Sequence, residues 1–599
     1  MLLSHVHDLL RRVFGFTCFR GLQEQVVDHV VAGGDALVLM PTGGGKSLCY
    51  QIPAMVRPGT GLVISPLIAL MQDQVGALQR MGVAASCLNS AQDGEESRRA
   101  CRALCRGELD LLYVSPERAV MSGFLDMLGS CRLSLIAIDE AHCVSQWGHD
   151  FRPEYLQLAE LHRRFPDVPR IALTATADEP TRADILQRLE LFQARKFISG
   201  FDRPNIQYLI HPKQEVRRQF LDFYRSHHPG EAGIVYCQTR ARVDRAAGWL
   251  REDGLEALPY HAGMTTEERQ RNQERFLHEE GVVMVATVAF GMGIDKPNVR
   301  FVAHLDMPKS VEAYYQETGR AGRDGLPATA WMAYGLADVM GILQLMSRSQ
   351  APPERRALER RKLDAMLGFC ETAGCRRQVL LRYFGEELPE RCGNCDTCLH
   401  PVAMVDGTIA AQMALSCVKR TGERYGVGYL VDVLLGRDNP RIQKAGHDRL
   451  PTFGVGRDSS AREWSSVFRQ LAAAGLVEVD MEGYGGLRLT PASWEVLKGR
   501  RKFSLRRDPA VTRQRARKKA LSVPPPALAS DLFEALRRKR LELARQERIP
   551  PYLIFHDNTL LAMVQSRPTT LEEMAEVPGV GEVKLARYGQ IFLGVLLSA

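Results

Sequence analysis

Ala36-Leu37-Val38-Leu39-Met40-Pro41-Thr42-Gly43-Gly44-Gly45-Lys46-Ser47 carries a short apolar run straight into three glycines, a lysine and a hydroxyl. The apolar run reads as a buried parallel strand, and the residues beyond Ser47 read as a helix. Glycines at such a turn let backbone N–H groups wrap phosphate oxygens, and the helix N-terminus adds a favourable dipole. On this pattern Lys46 reaches the β- and γ-phosphates of a nucleotide and Ser47 takes magnesium, while Thr42, Gly43, Gly44 and Gly45 line the loop. The usual motif begins with glycine where Met40 stands; Gly45-Lys46-Ser47 is intact.

Outward from this loop the same alternation repeats. Gly61–Ser65, Leu111–Val114, Leu135–Ile138 and Arg170–Thr174 are short apolar runs separated by helical periods. The series restarts at Gly233–Cys237, Leu258–His261, Val282–Thr287 and Val299–Asp306. Two doubly wound α/β lobes in tandem account for this, joined near Phe201-Asp202-Arg203-Pro204-Asn205, with ligands at the carboxyl ends of the strands. After about residue 345 helices and a cysteine cluster take over. A smaller α+β unit follows, in which Ala461 to Leu476 has helical periodicity and Val477–Val479 and Leu487–Leu489 flank a glycine-rich turn at 483–486. Helix then hairpin suggests a winged helix-turn-helix. A last unit, from about 528, is helical.

Leu135–Ile138 delivers Asp139-Glu140 to a strand end, where nucleotide hydrolysis needs one carboxylate near magnesium and another beside the attacking water. Trp147, His149, Phe151 and Arg152 follow at once. Stacking side chains interleaved with a cation suit a surface that meets nucleic-acid bases; a packed loop anchor is the alternative for Trp147. In Gln316-Glu-Thr-Gly-Arg320-Ala-Gly-Arg323 two guanidinium groups stand three residues apart. Presented from the second lobe, they neutralise charge developing on the γ-phosphate, an effect worth roughly a thousandfold or more in rate. A solvated surface pair is the other reading. Together these stretches describe an ATP-driven motor on nucleic acid.

With 599 residues the chain holds several domains, and 45% hydrophobic with 25% charged residues is the balance of a soluble protein. It has no apolar run of membrane-spanning length, and Met1-Leu-Leu-Ser-His lacks the features of a signal peptide. The expected location is cytoplasmic, nucleoid-associated if bacterial, with no membrane partner. The net charge of +8 is concentrated: residues 500–519 carry ten Lys or Arg against Asp508, a local +9 that leaves −1 for the rest. Beside Pro524-Pro525-Pro526 this reads as a flexible solvated linker, or else as a duplex-phosphate contact. Ten of the fourteen cysteines are scattered and read as reduced thiols. The others, Cys375-x16-Cys392-x2-Cys395-x2-Cys398, offer four thiolates suited to tetrahedral zinc, with an iron–sulfur cluster as the rival.

In this order the motifs resemble the RecQ family of superfamily 2 DNA helicases over nearly the whole chain. Phe16, Phe19-Arg20 and Gln23 resemble its adenine-recognition motif, with Phe16 stacking on the base and Gln23 hydrogen-bonding it. Ser65-Pro66-Leu67 and Leu88-Asn89-Ser90 resemble single-strand contacts. Thr174 and Thr176 lie in a segment like that which couples hydrolysis to movement, and Tyr236–Arg240, Tyr260–Met264 and Ala286-Thr287 through Asp295 resemble second-lobe motor motifs. The resemblance implies that Asp139 holds magnesium, Glu140 orients or deprotonates water, His142 links the nucleotide site to the coupling segment, and Trp147 and Phe151 sense single-stranded DNA. It also implies zinc at the four cysteines.

The implied architecture is two RecA-like lobes at 1–202 and 203–345, a helical zinc-binding subdomain at 346–404, a winged helix at 405–500, a linker at 501–527 and an all-α HRDC bundle at 528–599. Arg462 and Arg469 are candidate phosphate contacts, and Lys584 with Arg587 a candidate basic patch. The implied activity is ATP- and magnesium-dependent 3′ to 5′ unwinding of duplex DNA in recombination and repair. Forks and tailed duplexes are the expected substrates, and a single-strand-binding protein or topoisomerase the expected partner by analogy. The alternatives are an ATP-gated DNA-binding or strand-annealing scaffold, a translocase that does not unwind, and an RNA helicase.

Overall fold

The computed structural model describes residues 2–598 apart from 90–91, 93, 146–150, 292–295, 350–351, 438, 480–485 and 508–530. Ser90, Trp147, His149, the segment 293–295, turn residues 483–485 and the basic run beyond Arg507 lie outside the described residues.

Strands β1 (Ala36–Leu39), β2 (Thr60–Ile64), β3 (Ala85–Leu88), β4 (Leu111–Val114), β5 (Leu133–Ile138), β6 (Arg170–Thr174) and β7 (Arg195–Ile198) form the first sheet, in the order β3-β4-β2-β5-β6-β1-β7. All its pairings are parallel, so every carboxyl end lies on one edge. Strands β8 (Ile206–Pro212), β9 (Gly233–Tyr236), β10 (Ala257–Tyr260), β11 (Val283–Ala286), β12 (Phe301–His304) and β13 (Ala328–Tyr334) form the second, also parallel, in the order β10-β11-β9-β12-β13-β8. Strands covered by helices on both faces read as continuous apolar runs, which is why the central ones were recognisable. Four escaped. β3 is short and half polar, β7 is an edge strand with Arg195, Lys196 and Ile198 exposed, and β8 and β13 mix polar or small residues with aromatic ones.

Below the second lobe, helices Pro353–Glu371 and Arg376–Tyr383 frame the cysteine cluster. Arg376, 1% exposed, braces it: it clasps Asp396 through two 2.9 Å bonds and donates to the carbonyls of Phe369 and Cys370. A bridge between Tyr208 and Cys395, and a bond from the Ile210 N–H to Asp396, fasten this module to β8.

The winged-helix unit contains β14 (Met404–Asp406), helix Ala461–Ala473 opened by a Ser460–Glu463 capping box, then β15 (Val477–Val479) antiparallel to β16 (Leu487–Leu489). It does not end at residue 500. Strand β17 (Ser504–Arg506) pairs antiparallel with β14, so the segment taken as flexible linker from 501 begins as part of this unit. Its basic side chains concealed the strand because Phe503, Leu505 and Arg506 are the residues that turn inward. Arg469, read as a phosphate contact, is also buried, and its Nε donates to Glu371 at 2.9 Å.

Helices Asp531–Glu547, Asp557–Ser566 and Gln590–Ser598 close a small bundle around Phe533, Leu536, Phe555 and Phe592. The patch expected at Lys584 and Arg587 is partly consumed: Lys584 lies over the Phe555 ring and Arg587 pairs with Glu547 at 3.0 Å. Among the described residues no helix is long and apolar enough to cross a membrane.

Candidate active site

β1 ends at the phosphate loop, where Gly43 and Gly45 have φ of +80° and +76°, a region that favours glycine. Contact reinforces the need. A Cβ at Gly45 would come within 2.3 Å of Gln23 Nε2, and one at Gly44 within 2.9 Å of the Pro41 carbonyl. Lys46 Nζ donates to the Met40 carbonyl at 3.1 Å, folded back over its own loop. Gln23, 3% exposed, donates to the carbonyls of Gly44 and Gly45 at 3.2 and 3.1 Å and accepts from the Arg20 N–H. Arg20 lies over the half-buried Phe16 ring, 5.8 Å from its centroid. Ser47 stands directly before helix Leu48–Val56.

Two strands away in the sheet, β5 delivers Asp139 and Glu140 to the same edge. Glu140 adopts φ +48°, a left-handed conformation that costs a non-glycine residue roughly 1–3 kcal/mol, and its N–H caps Asp139 Oδ1 at 2.9 Å. Burial, then the adjacent Glu140 charge, pushes Asp139 up to about 7, with Lys46 pulling against them. Such a carboxylate gains from a cation beside it. His142, fully buried, has Nδ1 3.0 Å from Thr174 Oγ1 and 3.3 Å from Glu140 Oε2, and the Thr176 N–H donates to Thr174 Oγ1 at 3.2 Å. The imidazole thus stands between the strand end that carries the acids and the turn after β6.

The loop after β5 is anchored at its far end. Arg152 donates to the Pro66 carbonyl at 3.2 Å, which fixes this end of the stretch to the turn after β2. Tyr155, fully buried, donates its hydroxyl to the Asp139 carbonyl at 2.9 Å. No role for this tyrosine is legible from residue pattern beyond its place at the end of an aromatic-rich stretch. Phe151 is half-buried beside Arg152. Asn89 donates its amide to Cys87 Sγ and its N–H to Gln92 Oε1.

From the second lobe, helix Val311–Thr318 carries half-buried Gln316 and leads to buried Arg320 and half-buried Arg323. The two lobes meet here. A Cβ on Gly43 would lie 3.3 Å from the Arg323 Cα, and one on Gly319 3.4 Å from Thr42. Thr287, at the end of β11, has its N–H on the Tyr260 carbonyl at 3.2 Å. Lys46, Asp139, Glu140 and His142 therefore come together on the first lobe, and the Arg323 backbone approaches the phosphate loop from the second, while the Arg320 guanidinium lies against Tyr236 and Gly291 of its own lobe.

The Sγ atoms of Cys375, Cys392, Cys395 and Cys398 lie within 4.8 Å of one another. Tetrahedral zinc with Zn–S near 2.3 Å needs sulfurs about 3.8 Å apart. Backbone N–H groups of Cys392 and Asn394 point at the sulfurs of Cys375 and Cys392, each at 3.4 Å, which favours thiolates. The donor set fits zinc, which supplies the cross-link between these loops when bound.

Residues 20–185 match the DEAD/DEAH box helicase family and 213–325 the helicase conserved C-terminal domain. Residues 336–399 match the RecQ zinc-binding domain, 401–514 the RQC domain and 529–596 the HRDC domain. The zinc-binding match decides between zinc and the iron–sulfur alternative. The chain is 46% identical over 594 residues to ATP-dependent DNA helicase RecQ of Haemophilus influenzae, covering 98% of this chain and 95% of that relative. It is 39% identical to ATP-dependent DNA helicase RecQ of Bacillus subtilis, covering 99% and 98%.

Proposed function

The chain belongs to the RecQ family of ATP-dependent DNA helicases, and from that footing we propose how its residues drive unwinding and in which direction it runs. It is a DNA-dependent ATPase that unwinds DNA, using ATP and magnesium and carrying a structural zinc. In our reading Lys46 and the loop Thr42–Gly45 bind the β- and γ-phosphates, and Ser47 and Asp139 hold magnesium, which supplies positive charge to the phosphate oxygens when bound. Glu140 orients the attacking water and accepts its proton. Arg320 and Arg323 stabilise charge on the transferring phosphoryl group. Phe16, Arg20 and Gln23 take the base, Gln23 by exchanging its loop carbonyls for the adenine edge.

The observation that carries this reading is the approach of the Arg323 backbone in one lobe to Gly43 in the other. Lobe closure then completes the hydrolytic set, and its reopening gives a step along the strand. His142, between Glu140 and Thr174, transmits closure to the coupling segment Thr174–Thr176. Arg152 on Pro66 links the aromatic loop, with Phe151, Trp147 and His149, to the DNA path past Asn89, Ser90 and Thr287. Stacking worth about 1–3 kcal/mol per base makes that loop able to report an occupied strand. Duplex steps average about 1.4 kcal/mol, so separation takes repeated cycles rather than binding alone.

We further propose 3′ to 5′ movement, a place in recombination and repair on forks and tailed duplexes, association with the nucleoid, and a single-strand-binding protein or topoisomerase as partner. The test is ATP-dependent unwinding of matched duplexes carrying a 3′ or a 5′ tail. Wild type opens only the 3′-tailed duplex and Lys46→Ala opens neither. Glu140→Gln binds ATP and DNA but hydrolyses about a hundred- to ten-thousandfold more slowly. DNA-stimulated hydrolysis without unwinding of either duplex would instead favour a translocase or an annealing scaffold.

A further inference from the structure

Between the lobes, Phe201-Asp202-Arg203-Pro204-Asn205 is a strut rather than a slack tether. The Phe201 N–H meets Glu386, its carbonyl accepts from Tyr315 at 2.8 Å, and its ring stacks on Phe384 with centroids 4.8 Å apart. Arg377 of the zinc module pairs with Asp202 at 3.2 Å and donates to the Ile206 carbonyl at 2.6 Å. Out of this strut comes Arg203, 9% exposed.

All five N–H groups of Arg203 are engaged, and their partners are on both sides of the cleft. Nη1 donates to the carbonyl of Thr42, in the phosphate loop of the first lobe, and to that of Gly319 at 3.2 Å. Nη2 donates to the carbonyls of Ala321 and Gly322 at 3.0 and 2.9 Å, and Nε to Asn205 at 3.4 Å. Gly319, Ala321 and Gly322 are the residues flanking Arg320 and leading to Arg323. Asn205 adds bonds of 2.9 Å to the carbonyls of Gly322 and Leu326. A guanidinium is planar with its donors in a fixed fork, so it imposes a distance between the groups it joins.

We infer that Arg203 is a positioning residue for ATP hydrolysis: its fork sets the register of the arginine loop, residues 319–323, against the phosphate loop at Thr42. This rests on the functional reading above. Arg203 touches backbone carbonyls, not the phosphate-binding Lys46 or Ser47, so it acts through the loops it joins. Opening the lobes withdraws Thr42 from residues 319–322, and the fork then keeps only one side. Closure is the one arrangement that satisfies all its donors together.

The test is steady-state ATP hydrolysis at saturating DNA by the full chain with zinc bound. Arg203→Ala lowers kcat by about a hundredfold, the scale of an ångström-sized misplacement, and leaves KM for ATP near the wild-type value. Arg203→Lys does not restore the rate, because an ammonium cannot span carbonyls from both lobes. The decisive arm is the pair with Arg320→Ala: if Arg203 works by placing that loop, the double variant is no slower than Arg320→Ala alone. Multiplied losses, a KM effect as large as the kcat effect, or full rescue by Arg203→Lys would each overturn the inference. If Arg203→Ala does not fold, Gly322→Ala shifts the same loop with the arginine intact, because its Cβ would come within 2.5 Å of Asn205 Nδ2 at φ +57°, and is expected to lower kcat without changing KM; an unaltered kcat there counts against the proposal. Wild type without DNA-stimulated hydrolysis would sink the functional reading itself, whereas active wild type and equally active Arg203→Ala sink only this step.

Discussion

The winged helix and the C-terminal bundle are both seated on the motor, by unequal means. At the winged-helix seat one buried carboxylate, Glu371, accepts from Arg469 at 2.9 Å and from the Tyr334 hydroxyl, and forms an ion pair with Arg506 at 2.9 Å. Those four residues come from the second lobe, the zinc module and the winged helix, and one continuous apolar core runs beneath them. The bundle keeps a core of its own; only Tyr552 and Leu553 reach into the apolar cluster of the second lobe and only Leu326 of that lobe packs back among the described residues, within a ring of polar contacts. On the first lobe the Gly579 N–H meets the Gly15 carbonyl at 2.8 Å, flanked by Arg11–Glu576 and Arg12–Glu582 at 2.5 and 3.0 Å. On the second, Glu280 takes Arg537 and Arg540, and Asn558 donates to the Asp324 carbonyl. A seat made of one continuous core is part of the body; a seat of a few apolar side chains ringed by polar contacts can release. The bundle touches residues next to Phe16 and Arg323, so release or docking alters both walls of the cleft.

Removing the zinc is the largest blow to the first seat. Structural zinc contributes about 10–16 kcal/mol in small finger peptides, so Cys395→Ala or chelation unfolds the module that presents Glu371 and Arg377. Hydrogen exchange then shows lost protection from 353 to 399 and across the winged helix, while Asp531–Glu547 keeps its own. Equal loss in both regions would erase the contrast. Glu371→Ala acts on the same seat without touching the metal. It strands two buried guanidinium groups and costs about 3–5 kcal/mol, read as a lowered denaturation midpoint at unchanged zinc content.

These residues also mark where the sequence stopped speaking. The phosphate loop, Asp139-Glu140 and the four cysteines were readable because each chemistry sits in a short stretch whose spacing is itself the signal. Glu371 and Arg469 are 98 residues apart, and Arg203 reaches carbonyls 116 to 161 residues away. Backbone carbonyls leave no trace in side-chain pattern, and an arginine on a helix looks solvated until its partner is known. Arg469 was misread for that reason, and β17 was hidden because basic neighbours outnumber Phe503 and Leu505.

At the second seat, Glu280→Ala is a milder cut. Arg540 keeps Asp557 at 2.7 Å and Arg537 keeps Glu534 at 3.4 Å, so the loss is about 1–3 kcal/mol and falls on docking rather than on folding. Small-angle scattering is expected to show a larger radius of gyration with an unchanged melting transition of the motor. Acid reaches this seat late. Burial disfavours the Asp557 carboxylate, but Arg540, Arg300 and Arg537 outweigh it and hold it down to about 2. A depressed carboxylate contributes in full above its unfolded value near 4 and loses that contribution as pH falls through about 2.

The smallest effect belongs to the rim on the first lobe. Arg11 and Glu576 are 61% and 63% exposed, and Arg12 and Glu582 nearly as much. Exposed pairs are worth about 0–1 kcal/mol and are screened within roughly 8–10 Å at ordinary ionic strength. Arg11→Ala therefore shifts the docked fraction of the bundle only slightly at low salt and not measurably at high salt. Gly15→Ala separates rim from seat, because its Cβ would come within 2.7 Å of the Gly581 N at a position with φ +71°. If Gly15→Ala undocks the bundle at every salt concentration while Arg11→Ala does so only in dilute buffer, backbone contact fixes the seat and charge merely biases it. If both respond to salt alike, the bundle is held on the first lobe by long-range attraction, and that seat differs from the winged-helix one in kind as well as in strength.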